Sequence, residues 1–294
     1  MSIDLLTGTL VLRPYVFGFL AAFLAAGRSD LGWRRTLLFG ACVSPVAWLA
    51  EASSTRTGVP FGLYHYTGDT HGRELFLANV PFMDPLSFSF LAYASFCLAR
   101  TVLRGRQVPP LAMALATGGL MMLLDVVIDP VAVRGDRWFL GRVFYYAEAG
   151  AYFGVPLSNF AGWVLVGAVG TGAYVCCGGW LEAGLGRRWP DPGPRGSDTS
   201  GLPVRRGRGS DTPGLTVHPA GPVAARALDP YGRRAWPGIA LYYAVLAFNL
   251  GVTAWIGEWL LLAVGAALHV TAAAGLLMIL QRPAVRLGLE KQRA

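Results

Sequence analysis

Seven stretches of this chain are apolar and long enough, or nearly so, to cross a bilayer as helices of about 20 residues. They cover residues 9–27, 36–50, 85–99, 111–128, 157–177, 237–256 and 259–280. The chain is 54% hydrophobic and only 14% charged, whereas soluble domains are about a quarter charged, so many of its side chains must face something other than water. The expected fold is an all-α integral membrane protein of about seven transmembrane helices. Its first apolar run has no basic region before it and no small-residue cleavage site after it, so it reads as an anchor and not as a removed signal peptide.

Orientation follows from the loops, because cytoplasmic loops retain Lys and Arg. With the N-terminus outside, the inner loops and tail hold 19 basic residues and the outer loops five, with Arg13 inside the first run. The C-terminus is then cytoplasmic, and the protein reads as a multi-pass protein of the cell membrane. The same count explains the net charge of +8 as a topology signal with a contribution from contact with anionic lipid. Scattered basic residues without interleaved aromatic residues argue against a nucleic-acid partner. Residues 1–188 are expected to form helices one to five, with two outer loops building the site. Residues 189–235, rich in Pro, Gly and Arg and carrying "RGSDT" twice, read as a disordered cytoplasmic linker; residues 236–294 supply the last two helices and a basic tail. Cys42, Cys97, Cys176 and Cys177 fall in apolar runs without metal-ligand spacing and read as small hydrophobic residues.

Two carboxylates stand out. "LLDVVIDPVAVRG" (Leu123–Gly135) places Asp125 and Asp129 at the end of the fourth run, four residues apart and so on one helical face. A charge within the membrane costs about 2.5–3.5 kcal/mol on insertion scales, and such residues usually face a polar cavity. Beside a helix C-terminus and each other, the two are expected to hold a proton between them. Glu51, Glu148, Asp84 and Asn159 collect on the same outer side. Asp84, near a helix start, reads first as a cap. "NVPFMDPLSF" and "GVPLSNFAGW" share a Val-Pro pattern ahead of an acid or amide, which suggests two similar loops folding over one site. Tyr64 and Tyr66 share a side if "YHY" is extended; Tyr152 and Trp163 either line the site or belong to an interfacial aromatic belt. His65 and His71 are too few and too loosely placed to argue for a metal.

"GVPFGLYHYTGD", "LDVVIDPVAVRGDRW" and "YFGVPLSNFAGW" resemble, in the same order, the signature segments of CruF-type membrane carotenoid biosynthesis proteins, the hydratases of acyclic psi end groups. The resemblance covers most of residues 50–163. It implies a hydro-lyase of the carotenoid 1,2-hydratase type, free of cofactors, acting on lycopene, gamma-carotene or a similar substrate in the bilayer. Such an enzyme protonates a trisubstituted alkene and adds water to the tertiary cation. Asp125, Asp129 and Glu51 are the catalytic candidates. Tyr64, Tyr66 or Tyr152 could face the cation, Glu51 or Glu148 with Asn159 could hold the water, and Trp163 could line the site. A membrane lycopene cyclase would use the same protonation, with a neighbouring double bond capturing the cation. A seven-helix transporter or proton channel would also place carboxylates on a polar cavity, although here the acids gather at one face.

The charge bias generates a direct test. A reporter fused near Asp69 is expected on the outer side and one near Gly105 in the cytoplasm; the reverse pattern would move the acidic cluster to the cytoplasmic face.

Overall fold

The computed structural model describes residues 3–104, 106, 108–184 and 231–281. Its helices are α1 (Ile3–Leu12), α2 (Pro14–Asp30), α3 (Trp33–Thr57), α4 (Met83–Val102), α5 (Pro110–Ala132), α6 (Leu157–Gly184), α7 (Tyr231–Trp255) and α8 (Trp259–Gln281). Among the described residues, α3, α5, α6, α7 and α8 are each long and apolar enough to cross a membrane, and the bent pair α1–α2 makes a sixth candidate if counted as one span. The chain is an all-α membrane protein. The expected linker lies for the most part outside the described residues, as does the basic tail, but α7 already begins at Tyr231 and takes the last five residues assigned to that linker.

The third apolar run, α4, is not among these candidates and lies enclosed in the bundle. It packs against α2, α3, α5 and α7, and 15 of its 20 residues are buried. A helix sheathed in protein has no lipid face to keep apolar, so it tolerates Ser87, Ser89, Ser95 and Asp84. Ser89 shares a hydrogen bond with Ser44 of α3 at 2.6 Å, which satisfies both hydroxyls inside the bundle. At the end of α4 opposite Asp84, Arg100 donates to the buried Asp30 of α2 at 2.5 Å. One acid therefore lies at the other end of the bundle from the carboxylates that gather at one face.

Proline shapes both ends of the site. Pro14 brings no N–H and disfavours a helical residue before it; α1 and α2 meet there at 89°, with Arg13 at the break. Pro130, expected to end the fourth run, sits inside α5. Its missing N–H leaves the Val126 carbonyl without its helical donor, and the Tyr152 hydroxyl donates to that carbonyl at 3.2 Å. α3 likewise runs through to Thr57, so Glu51 lies inside a helix and not at its end.

The loop between α3 and α4 and the loop between α5 and α6 are joined by main chain. Strand β1 (Tyr64–Tyr66) in the first loop pairs antiparallel with β4 (Phe144–Tyr146) in the second, in register Tyr64↔Tyr146 and Tyr66↔Phe144. Between them in sequence, β2 (Phe76–Leu77) and β3 (Val80–Pro81) form a hairpin that leads into α4.

The contact of α5 with α6 depends on glycine. A Cβ on Gly118 would lie 2.3 Å from the Val164 carbonyl oxygen, while one on neighbouring Gly119 would meet nothing within 4 Å. Small residues let membrane helices approach closely. Gly118→Leu is expected to destabilise the bundle by about 1–3 kcal/mol or more, the range for overpacking, whereas Gly119→Leu is expected to change little. Thermal denaturation of the detergent-solubilised variants, followed by their helical circular dichroism, makes the comparison.

Candidate active site

Beneath the α3–α4 and α5–α6 loops lies a cavity of about 160 Å3. Helices α2, α3, α4, α5, α6 and α7 and both loops contribute to its wall. Most of that wall is aromatic or aliphatic. Phe88 and Trp163 stack with centroids 4.5 Å apart, Tyr15 stacks on Phe248 at 5.3 Å, and Tyr64 meets the rings of Tyr66, Phe144 and Tyr146 at 5.5–5.9 Å.

Two polar centres interrupt this apolar wall. The first is built on α5 and α6. Four residues of helix put Asp125 and Asp129 on one face, and Asn159, in the first turn of α6, reaches both. Its amide nitrogen donates to Asp125 Oδ2 at 2.6 Å and to Asp129 Oδ2 at 2.7 Å, one hydrogen for each acid. Asp129 also receives the Trp163 side chain and the Tyr146 hydroxyl. The two acids are not equivalent. Asp129 lines the cavity, while Asp125 is fully buried behind it, with Oδ1 lacking a hydrogen-bond partner among the described residues.

The second centre faces the same space from α3 and α4. The Tyr66 hydroxyl donates to Glu51 Oε2 at 3.1 Å and also hydrogen-bonds Asp84. Asp84 does not act as the expected cap: the capping residue is Phe82, with no side-chain cap hydrogen bond, and the Asp84 carboxylate lines the cavity. Arg13 enters from the α1–α2 break with its side chain buried. It holds Glu74 through paired hydrogen bonds, Nε to Oε2 at 3.0 Å and Nη2 to Oε1 at 2.9 Å, and lies close enough to act on Asp84 electrostatically. Burial first, and the Glu51 charge next, push the Tyr64 and Tyr66 phenols well above the usual tyrosine range. Burial first, then Asp129, does the same for Tyr146. All three therefore keep their protons, and Tyr66 and Tyr146 are donors toward the carboxylates.

Of the residues singled out from sequence, the cavity brings together Glu51, Tyr64, Tyr66, Asp129, Asn159 and Trp163, with Asp125 directly behind. Two are elsewhere. Glu148 is exposed on the loop after β4 and does not line the cavity. Tyr152 serves the helix backbone at Pro130 and packs on Phe153 and Phe160. His65 is exposed and lies against Tyr145. Sequence reasoning passed over Arg13 and Glu74 and set Asp84 aside. The available signal was Arg13 itself: a lone charge in an apolar run needs a buried partner, although nothing in the sequence shows which.

Comparison with known proteins places this arrangement. Over 191 residues the chain is 32% identical to bisanhydrobacterioruberin hydratase from Haloarcula japonica, an alignment covering 64% of this chain and 61% of that protein. No solved structure matches the chain. The profile of the carotenoid biosynthesis protein family matches residues 8–183, a span that includes both polar centres, and the chain belongs to that family.

Proposed function

We propose that this protein is a carotenoid hydratase of the cell membrane, adding water without a cofactor across the terminal double bond of an acyclic psi end group to give a tertiary alcohol. The observation that carries this reading is a buried, Asn159-bridged carboxylate pair whose outer member, Asp129, faces an aromatic-walled apolar cavity. The relative's name, a hydratase, points the same way.

The chemistry sets three demands. A trisubstituted alkene accepts a proton only from an acid held close and aligned, and positioned general acids contribute about 100- to 10,000-fold. Asp129 is the donor in this reading, and Asp125, hydrogen-bonded to it directly, shares its proton, while Asn159 holds the two in place. The tertiary cation that forms is stabilised by ring faces; Trp163, Phe88 and Tyr64 offer them on the cavity wall. Water must then meet the cation on a polar side of an otherwise dry site, and Glu51 with Tyr66 provides one. Under the charge bias of the loops, the site opens toward the outer half of the bilayer, where a long apolar substrate can extend into lipid while its end group enters.

Expression in a lycopene-accumulating host is expected to yield products heavier by one water per modified end. An unchanged mass with the absorption of a ring would show a cyclase instead. In the same host, Asp129→Asn is expected to lower product by about 100-fold or more, with Asp125→Asn also severe but less so, since Asp125 does not reach the cavity. Asp136→Asn and Glu148→Gln, both on the exposed loop, are expected to stay near the parent. Unimpaired hydration by both the Asp129 and Asp125 variants, at equal membrane levels, would remove the pair from the chemistry.

A further inference from the structure

The two halves of the site are built alike but equipped differently. In "VPFMD" Asp84 follows Pro81 by three residues, and in "VPLSN" Asn159 follows Pro156 by three. Each thereby occupies the first turn of a helix, α4 or α6, and each lines the cavity. Seven residues after the same prolines stand Phe88 and Trp163, which stack on each other. The equivalent positions thus hold a carboxylate in one half and an amide in the other. An amide can bridge two acids but cannot take up a proton; a carboxylate can.

The charged surroundings differ in the same sense. The Asp125–Asp129 side has Asn159, Trp163 and Tyr146 as partners, all neutral. The Asp84 side has Arg13, fixed by its paired hydrogen bonds to Glu74 and 2% exposed. Arg13 favours negative charge on Asp84 more strongly than its partner Glu74 opposes it, and the Glu51 carboxylate of the same centre also faces Asp84.

Resting on the hydratase reading above, we propose that Asp84 is the proton acceptor for the attacking water, facing the Asp129 donor across the cavity, and that Arg13, locked by Glu74, is the residue that positions it. The step balances as follows. The Asp129 O–H bond breaks as a C–H bond forms at the less substituted alkene carbon. The water oxygen bonds the tertiary cation, and its O–H electron pair returns to oxygen as the proton passes to Asp84. One water is added; one proton has moved from the Asp129 side to the Asp84 side, and it returns between turnovers. Glu51 and Tyr66 both line the cavity, and Tyr66 hydrogen-bonds Glu51 and Asp84; together they hold the water in line.

Partition of the cation in D2O tests this. In full-length enzyme in native membranes supplied with lycopene, a cation that forms but is not captured can lose a proton back to Asp129 and leave deuterium in recovered, unhydrated substrate. Asp84→Asn is expected to cut hydration by 100-fold or more while deuterium incorporation stays within a few-fold of the parent or rises. Asp129→Asn is expected to abolish both. Arg13→Gln is expected to follow Asp84→Asn in its ratio of exchange to hydration, and Arg13→Lys to recover much of the hydration. Normal hydration by Asp84→Asn overturns the proposal, and so does loss of exchange together with hydration at equal membrane levels and thermal stability. Failure of the unmodified enzyme to hydrate any acyclic carotenoid overturns the underlying reading, and the proposal with it.

Discussion

One amide holds the centre of this molecule together. Two carboxylates in a bundle of apolar helices repel each other and lack water, so the fold needs a donor with two hydrogens aimed in two directions; Asn159 supplies both within 2.7 Å. That geometry demands an unbroken helical face from Asp125 to Asp129 and an α6 that begins two residues before Asn159, at Leu157. It also needs α5 and α6 to lie close, which the bare backbone at Gly118 allows. Pro130 sits one residue past the pair and removes a helical hydrogen bond; Tyr152 from the second loop fills the vacancy. Loop, helix and site are in this way fixed by the same few contacts.

The rest of the cavity follows from two comparable helix–loop–helix units. α3 and α4 with their loop face α5 and α6 with theirs, and the β1–β4 ribbon ties loop to loop. Their helices enter the membrane with the same Val-Pro step, which brings Asp84 and Asn159 to the same space and sets Phe88 on Trp163. What breaks the likeness comes from outside both units. The 89° bend between α1 and α2 drives Arg13 inward, where Glu74 neutralises it at hydrogen-bond distance. An isolated buried charge would be strongly unfavourable, so the pair is a condition for the bend as much as a result of it.

Aromatic residues serve two purposes here. Facing the cavity, Trp163, Phe88, Tyr64 and Phe248 make a wall that an isoprenoid end group can contact along its length, with faces suited to a passing positive charge. At the same time Trp163, Tyr146 and Tyr66 direct their polar ends to Asp129, Glu51 and Asp84. Amphipathic side chains suit such a boundary because one body satisfies both a dry substrate and a buried acid.

Apolar run length and loop charge are local, additive properties, which is why the helical membrane fold and the grouping of Glu51, Asp125, Asp129 and Asn159 were legible in the sequence. The i,i+4 spacing alone put the two aspartates on one face, and alternation in "YHY" alone put Tyr64 beside Tyr66. Other features depended on where distant segments meet. Sequence could not show that α4 is enclosed by its neighbours, that Tyr152 is taken up by the Val126 carbonyl, or that Glu148 turns to the surface. Nor could it show that Asp84 looks into the cavity beside an arginine from 71 residues earlier in the chain. Periodicity assigns a residue to a face of its own helix; which partner that face meets is decided by packing, because contact between remote segments is a property of the assembled bundle and of no single segment.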